Sequence, residues 1–306
     1  MNPTSATYFA LDPVDSAKVA QELATRIQAD TAPGVWLALF DEAFDYNSKK
    51  LSWPGARYPL YHQGRLAPLA TVSPSLLELN PAHHATALQW PLARMLQHCA
   101  GKPMLGFVKT TVSAEVLRTH WQGCLQPHTE DGQSLLLRFA DTRVSAALPA
   151  ALAPASWLRL TAPLTQWLVP DRSGVLQSLP LADTNTPADS FIDAATDWTL
   201  TDAEYSALLG AGETDALVQA VHEQWPDALP TTEKATFHIQ IAQACSLLQK
   251  HRIEAAPDQI ALAAAVCATH GQLLDAPGLD GWLARRTWNT GQMALALAES
   301  IDKGFE

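Results

Sequence analysis

The sequence predicts an α+β protein, with a mixed α/β N-terminal lobe followed by an all-helical C-terminal lobe. Three observations lead there. Up to about residue 170, short apolar runs alternate with segments of helical period. Residues 171–197 (DRSGVLQSLPLADTNTPADSFIDAATD) are rich in Pro, Asp, Thr and Ser and read as a connecting segment, partly mobile. Beyond them only the helical period recurs. The expected organisation is a mixed lobe over 1–170, a connector over 171–197 and a helical lobe over 198–306, since 306 residues exceed the commonest single-domain size.

The elements follow in order. Asp12-Pro13 reads as an N-cap with Pro at the first helical position, and Ala20, Leu23, Ala24 and Ile27 continue that helix until Pro33-Gly34. Val35 to Phe40 (VWLALF) is a buried strand. Asp41 to Arg57 reads as a long loop, Leu60 to Leu69 holds a short strand, and Ser75 to Leu79 holds another, stopped by Asn80-Pro81. Leu88, Leu92, Met95 and Leu96 share one side of a helix, and Met104 to Val108 is the next strand. Ser113 caps a helix running to about Gly123, with Val116, Leu117, His120 and Trp121 facing inward. Leu125 to His128 and Ser134 to Phe139 flank Asp131-Gly132, a hairpin signal.

In the C-terminal half, Thr201-Asp-Ala-Glu204 is a capping box. Thr231 or Thr232 starts a helix with Phe237, Ile241, Ala244 and Leu248 on one stripe, and Lys250-His251-Arg252 places positive charge at its end. Pro257 opens a helix carrying Ile260, Ala263, Ala264 and Cys267, with Gly271 as its stop. Leu279, Trp282 and Leu283 form a short amphipathic turn, and Met293, Leu297 and Ile301 mark the last helix of a small bundle.

Composition excludes several classes of function. The net charge is −11, with 20 Lys+Arg against 31 Asp+Glu, and no three Lys or Arg residues adjoin, so nucleic acid is not an expected partner. Charged residues make up only 17 %, which leaves either a thinly charged surface or apolar patches that meet a partner. Ten Trp suit both a core and an interface, with the core the favoured reading. Met1 to Asp15 has neither the basic nor the apolar region of a signal peptide, and no apolar run is long enough for a membrane helix. Cys99, Cys124, Cys245 and Cys267 form no close pair. A cytoplasmic setting with free thiols and no membrane partner is the expectation.

Catalytic and metal signatures are sparse. His120 and Cys124 stand four apart, but Gly123 intervenes and no second ligand pair accompanies them, so no metal is expected. Adjacent His83-His84 point in different directions on a helix and cannot easily chelate together. No GxSxG, P-loop, HExxH or GxGxxG occurs. The carboxylate pairs Asp41-Glu42 and Glu130-Asp131 fall where loops are expected and read as solvated. A different pattern closes the strand Leu135-Leu137-Phe139. There Arg138, Asp141 and Arg143 can form a small ion-pair network that either pins the strand end or contacts a partner.

Taken in order, several segments resemble the DUF4123 proteins. They are Gly106-Phe-Val-Lys-Thr-Thr-Val-Ser-Ala-Glu-Val-Leu-Arg-Thr-His120, Asp131-Gly132, Leu137-Arg-Phe-Ala-Asp-Thr-Arg143, Trp167-Leu-Val-Pro-Asp-Arg-Ser-Gly174 and Leu200-Thr-Asp-Ala-Glu-Tyr-Ser-Ala-Leu208. Arg138 to Arg143 is similar to that family's R-F-x-D-x-R strand end. Ala140, where an aromatic is expected, and the polar insertion near Tyr46 to Pro54 depart from the pattern. The likeness runs from about Val35 to about Asp280. It implies a non-catalytic adaptor or effector chaperone that binds a toxin effector and loads it onto the VgrG spike of a type VI secretion system. It carries no catalytic residue and implies no cofactor.

Candidate partner-binding residues are Arg138, Asp141 and Arg143, together with Trp53 and Tyr58, since large aromatics in a Pro/Gly-rich loop are hard to bury locally. Trp53→Ala is expected to weaken toxin binding with little change in stability. The alternatives are a hydrolase or transferase with a scattered active site, and a structural subunit of a phage-like machine.

Overall fold

The computed structural model describes residues 7–46, 48–79, 85–182 and 197–305. The chain forms two compact units, Pro13–Ala211 and Gly212–Glu306 with Met1–Asp12, and the boundary falls inside the long helix Asp202–Gln224.

The unit Pro13–Ala211 is mixed α and β. In chain order it holds α1 (Ser16–Ala29), β1 (Val35–Asp41), β2 (Arg57–Pro59), β3 (Pro74–Glu78), α2 (Ala85–His98), β4 (Leu105–Thr110), α3 (Ala114–Gln122), β5 (His128–Thr129), α4 (Thr142–Ala151), α5 (Pro154–Thr161), β6 (Leu164–Pro170), β7 (Leu176–Ser178) and β8 (Thr199–Leu200). Six strands make one antiparallel sheet in the order β2-β3-β1-β4-β6-β7, and β5 pairs β8 separately, in parallel.

Successive side chains of a strand leave on opposite faces, and β1 is apolar throughout because both faces are covered. Trp36, Ala38 and Phe40 enter one core with Leu77, Phe107, Leu23 of α1 and Leu92 of α2. Leu37 and Leu39 enter the other with Leu76, Val108, Leu117 of α3, Leu148 of α4 and Leu160 of α5. Trp121, Phe139, Trp157 and Trp167 form the aromatic centre of that second core, with Trp157 stacked on Trp167 at 5.8 Å. Two of its buried indoles find partners, Trp121 Nε1 donating to Leu160 O at 3.0 Å and Trp157 Nε1 to Pro180 O at 2.9 Å, while Trp167 Nε1 is buried with no hydrogen-bond partner among the described residues. Trp36, Trp121, Trp157, Trp167, Trp198 and Trp282 are buried, so most of the tryptophan serves cores, while Trp90 and Trp225 are exposed.

Several local readings change. α1 is capped by Asp15, whose side chain accepts from Lys18 N, and Asp12 lies outside it. The strand expected at Leu60 to Leu69 is a 3-10 turn over Gly64–Val72, and Arg57–Pro59 is the strand instead. Ser113 caps α3 as expected, but Val116 is 53 % exposed while Leu117 and Trp121 are buried. The arms around Asp131-Gly132 do meet, through Leu135 N to Pro127 O and Leu137 N to Leu125 O, both 2.9 Å, with Gly132 at φ +83° in the turn. They form a single bridge, His128↔Ser134, and no ladder. Within 171–197, Leu176–Ser178 pairs as the edge strand β7, and 183–196 lie outside the described residues. The β6–β7 turn needs Gly174: at φ +80° an added Cβ would lie 2.9 Å from Pro13 O.

The second unit is helical. It contains the end of α6 (Asp202–Gln224), then α7 (Lys234–Lys250), α8 (Ala256–Ala268), α9 (Leu279–Arg285) and α10 (Met293–Lys303). Phe237, Ile241, Ala244 and Leu248 are all buried, with Val221, Leu262, Val266, Trp282, Leu283, Met293 and Leu297 around them; Ile301 is exposed. α7 starts at Lys234 after Glu233 at φ +53°, and it has no side-chain cap of its own. Its first donors are satisfied from afar: Asp12 accepts from Lys234 N at 2.9 Å and Ala235 N at 3.2 Å. Likewise Asp258, in the first turn of α8, accepts from Met293 N at 2.9 Å and caps α10. Among the described residues, no helix is long and apolar enough to cross a membrane.

Candidate functional site

β1 ends at Asp41, and the chain turns at once into a 3-10 turn over Glu42–Asp45. The segment Asp41-Glu-Ala-Phe-Asp45 carries three carboxylates, all buried and all paired. The solvated reading of Asp41-Glu42 is therefore overturned. Asp41 Oδ1 caps the turn by accepting from Ala43 N at 3.1 Å, and Oδ2 accepts from Arg138 Nη2 at 2.7 Å. Glu42 accepts from Arg57 Nη1 at 2.6 Å and from Ser75 Oγ at 2.8 Å. Asp45 meets His98 Nε2 at 2.6 Å and Lys102 Nζ at 3.1 Å. A buried charge persists only when paired and hydrogen-bonded, so these contacts fix the turn.

The Arg138–Asp141–Arg143 network exists in an altered form. Arg138 bonds Asp41, 97 residues away, rather than Asp141. Asp141 caps α4 through Arg143 N at 3.0 Å, and its carboxylate takes the Arg143 fork, Nε at 3.0 Å and Nη2 at 2.6 Å. Both guanidinium groups lie over the Phe44 ring, with Arg138 Cζ 5.3 Å and Arg143 Cζ 6.0 Å from its centroid. The carboxylates sit inside, while the side chains of Arg138 and Arg143 stay 36 % and 26 % exposed. Burial pushes the Asp41 carboxyl up from its ordinary value, and the charge of Asp141 acts the same way; Arg138 opposes both. Burial also raises the nearby Tyr61 phenol, to about 12.

The corner thus offers two guanidinium groups at fixed positions, each rooted on a buried carboxylate and backed by an aromatic ring. Such groups recognise acceptor oxygens with geometric specificity. Trp53 and Tyr58 are both half-buried and pack against different cores, Trp53 with the α1/α2 side of the sheet and Tyr58 with the α3–α5 side. They do not form one aromatic patch. Phe44, the ring under both arginines, escaped sequence reasoning; its place two residues before Tyr46 in a polar stretch gave it no periodic signal.

The other flagged groups are tied into the fold. His120 Nε2 donates to Arg159 O at 2.8 Å, and burial holds His120 below its usual range. Burial pushes the Cys124 thiol up to about 11. His83-His84 lie outside the described residues. Among the described residues, no group of three or more His, Cys, Asp or Glu is placed to hold a metal ion.

Residues 36–159 match the family described as Domain of unknown function (DUF4123). The matched segment runs from β1 into α5 and contains Asp41, Phe44, Arg138, Asp141 and Arg143. No curated protein and no solved structure matches the chain.

Proposed function

We propose that this chain is a non-catalytic adaptor, or effector chaperone, that binds a toxin effector and helps load it onto the VgrG spike of a type VI secretion system. The observation that carries the reading is the DUF4123 match over 36–159. What supports a binding role within that segment is the arginine corner. Arg138 gives one bond to Asp41 and keeps further N–H donors at the surface, and Phe44 supplies an apolar floor beneath it. A partner carbonyl or carboxylate placed there gains charge-assisted hydrogen bonds without the entropy cost of ordering the side chains. Binding alone is the mechanism, it needs no cofactor, and its place of action is the cytoplasm of the attacking cell.

The test uses Arg138→Lys and the double variant with Arg143→Lys. Lysine keeps the charge opposite each carboxylate but loses the fork and the planar stacking. Capture of the toxin or of the spike C-terminal region should weaken about tenfold, the equivalent of one charge-assisted bond. The thermal unfolding midpoint should shift by only a few degrees. Undiminished capture of both partners by the double variant would remove the corner from the interface.

A further inference from the structure

We infer that the helical unit carries a second, unassigned binding site: a cleft that takes a carboxylate borne by a polypeptide. The cleft has a volume of about 230 Å³ and lies where the chain leaves α7 and where it leaves α9. Arg252, Ile253, Glu254, Arg286, Trp288 and Thr290 line it.

Each lining group has a defined state. Arg286, just past α9, donates through Nη2 to the carbonyls of His251 and Arg252, which fixes its guanidinium against the end of α7. That leaves its other N–H groups for a ligand. Arg252 is exposed, and its side chain makes no hydrogen bond or ion pair with any described residue. The acidic groups are unequal. Asp258 is buried and spent, accepting from Gly291 N and Met293 N, both at 2.9 Å, and from Trp288 Nε1 at 3.3 Å. Glu254 is exposed and unspent. Trp288 is held in place by its stack on Trp282, centroids 4.4 Å apart.

This set of groups selects its ligand. Two arginines line the one cleft, Ile253 and Trp288 offer it apolar surface, and Glu254 can accept an N–H. A singly charged carboxylate next to an amide N–H satisfies all three. A phosphate dianion brings a second negative charge that Glu254 repels. The carboxylate has two sources in a polypeptide, the chain end and an acidic side chain. The site lies in a different unit from the arginine corner and stands or falls independently of the adaptor reading.

Calorimetric titration of the full chain tests it, with three peptide probes and inorganic phosphate. The first is N-acetyl-Ala-Ala-Leu with a free C-terminal carboxylate, the second is the same peptide as its amide, and the third is N-acetyl-Ala-Glu-Leu amide. Binding of the first probe, at least tenfold weaker for the second and for the Arg252→Gln chain, supports the site. The Arg252 side chain has no partner to lose among the described residues, so this variant should melt with the unaltered chain. The third probe assigns the source: binding as tight as the first points to an acidic side chain, and weak binding points to a chain end. Equal binding of acid and amide, equal binding by the variant, no binding of any probe, or tighter binding of inorganic phosphate would overturn the proposal.

Discussion

Asp41 both caps the turn after β1 and holds Arg138, and both tasks use its ionised form where burial opposes ionisation. Its folded carboxyl titrates above the ordinary range near 4. The proton is therefore bound more tightly in the folded chain than in the unfolded one. The stability this contributes is full below the ordinary range and is lost as pH rises through the folded value. Relative to Asp41→Asn, the unaltered chain should gain stability as pH falls from neutral into the mildly acidic range, as read by parallel thermal unfolding. A difference that grows as pH rises would show that Arg138 outweighs burial. A second prediction concerns Lys109, which is buried on β4 and bonds Asp30 at 2.7 Å. Asp30→Asn strands that ammonium and should cost roughly 3 kcal/mol in denaturant unfolding; a loss under 1 kcal/mol would mean that Ala32 O alone satisfies it. At this scale the sequence was only half legible. Arg138, Asp141 and Arg143 stood out because they cluster within six residues, while Asp41 and Glu42 looked solvated because Arg138, Arg57 and Ser75 are brought to them by the sheet.

The helices show the same division between near and distant causes. The Thr201–Glu204 capping box is present: Glu204 N donates to Thr201 Oγ1 at 3.2 Å, and Thr201 N donates to Glu204 Oε2 at 2.8 Å. Burial opposes the charge of Glu204, but hydrogen bonds from Ser156, Thr201 and Ala153 hold its carboxyl below the usual value. One of them, from Ala153 N at 3.0 Å, reaches the N-cap residue of α5, so Glu204 serves two helix starts. A four-residue motif is local and could be read; the service to α5 could not. α7 is the opposite case. Its cap, Asp12, lies 222 residues from Lys234, and the sequence placed it on α1 because Asp-Pro commonly opens a helix. Asp12→Ala should cost about 1 kcal/mol, the usual worth of a cap. It should also raise hydrogen exchange at Lys234 and Ala235 before it affects the middle of α7. Unchanged exchange there would show that the cap contributes nothing.

For the molecule as a whole, periodicity was the reliable guide. Runs such as VWLALF, apolar on both faces, required a sheet covered on both sides, and α1 with α2 and α3 to α5 supply the two covers. The helical unit followed from stripes such as Phe237, Ile241, Ala244 and Leu248. Neither the place of the division inside α6 nor the membership of 7–12 in the helical unit could be read, because both depend on contacts distant in sequence. The adaptor reading asks for two partners held at once, and the arginine corner is the place proposed for one of them. The most direct measurement is reconstitution of the purified chain with the spike C-terminal region and the toxin, first pairwise and then together. The adaptor reading predicts a ternary complex in which the toxin joins the spike only when this chain is present. Toxin bound to the spike equally well without it, or a chain that binds neither partner, would contradict that reading.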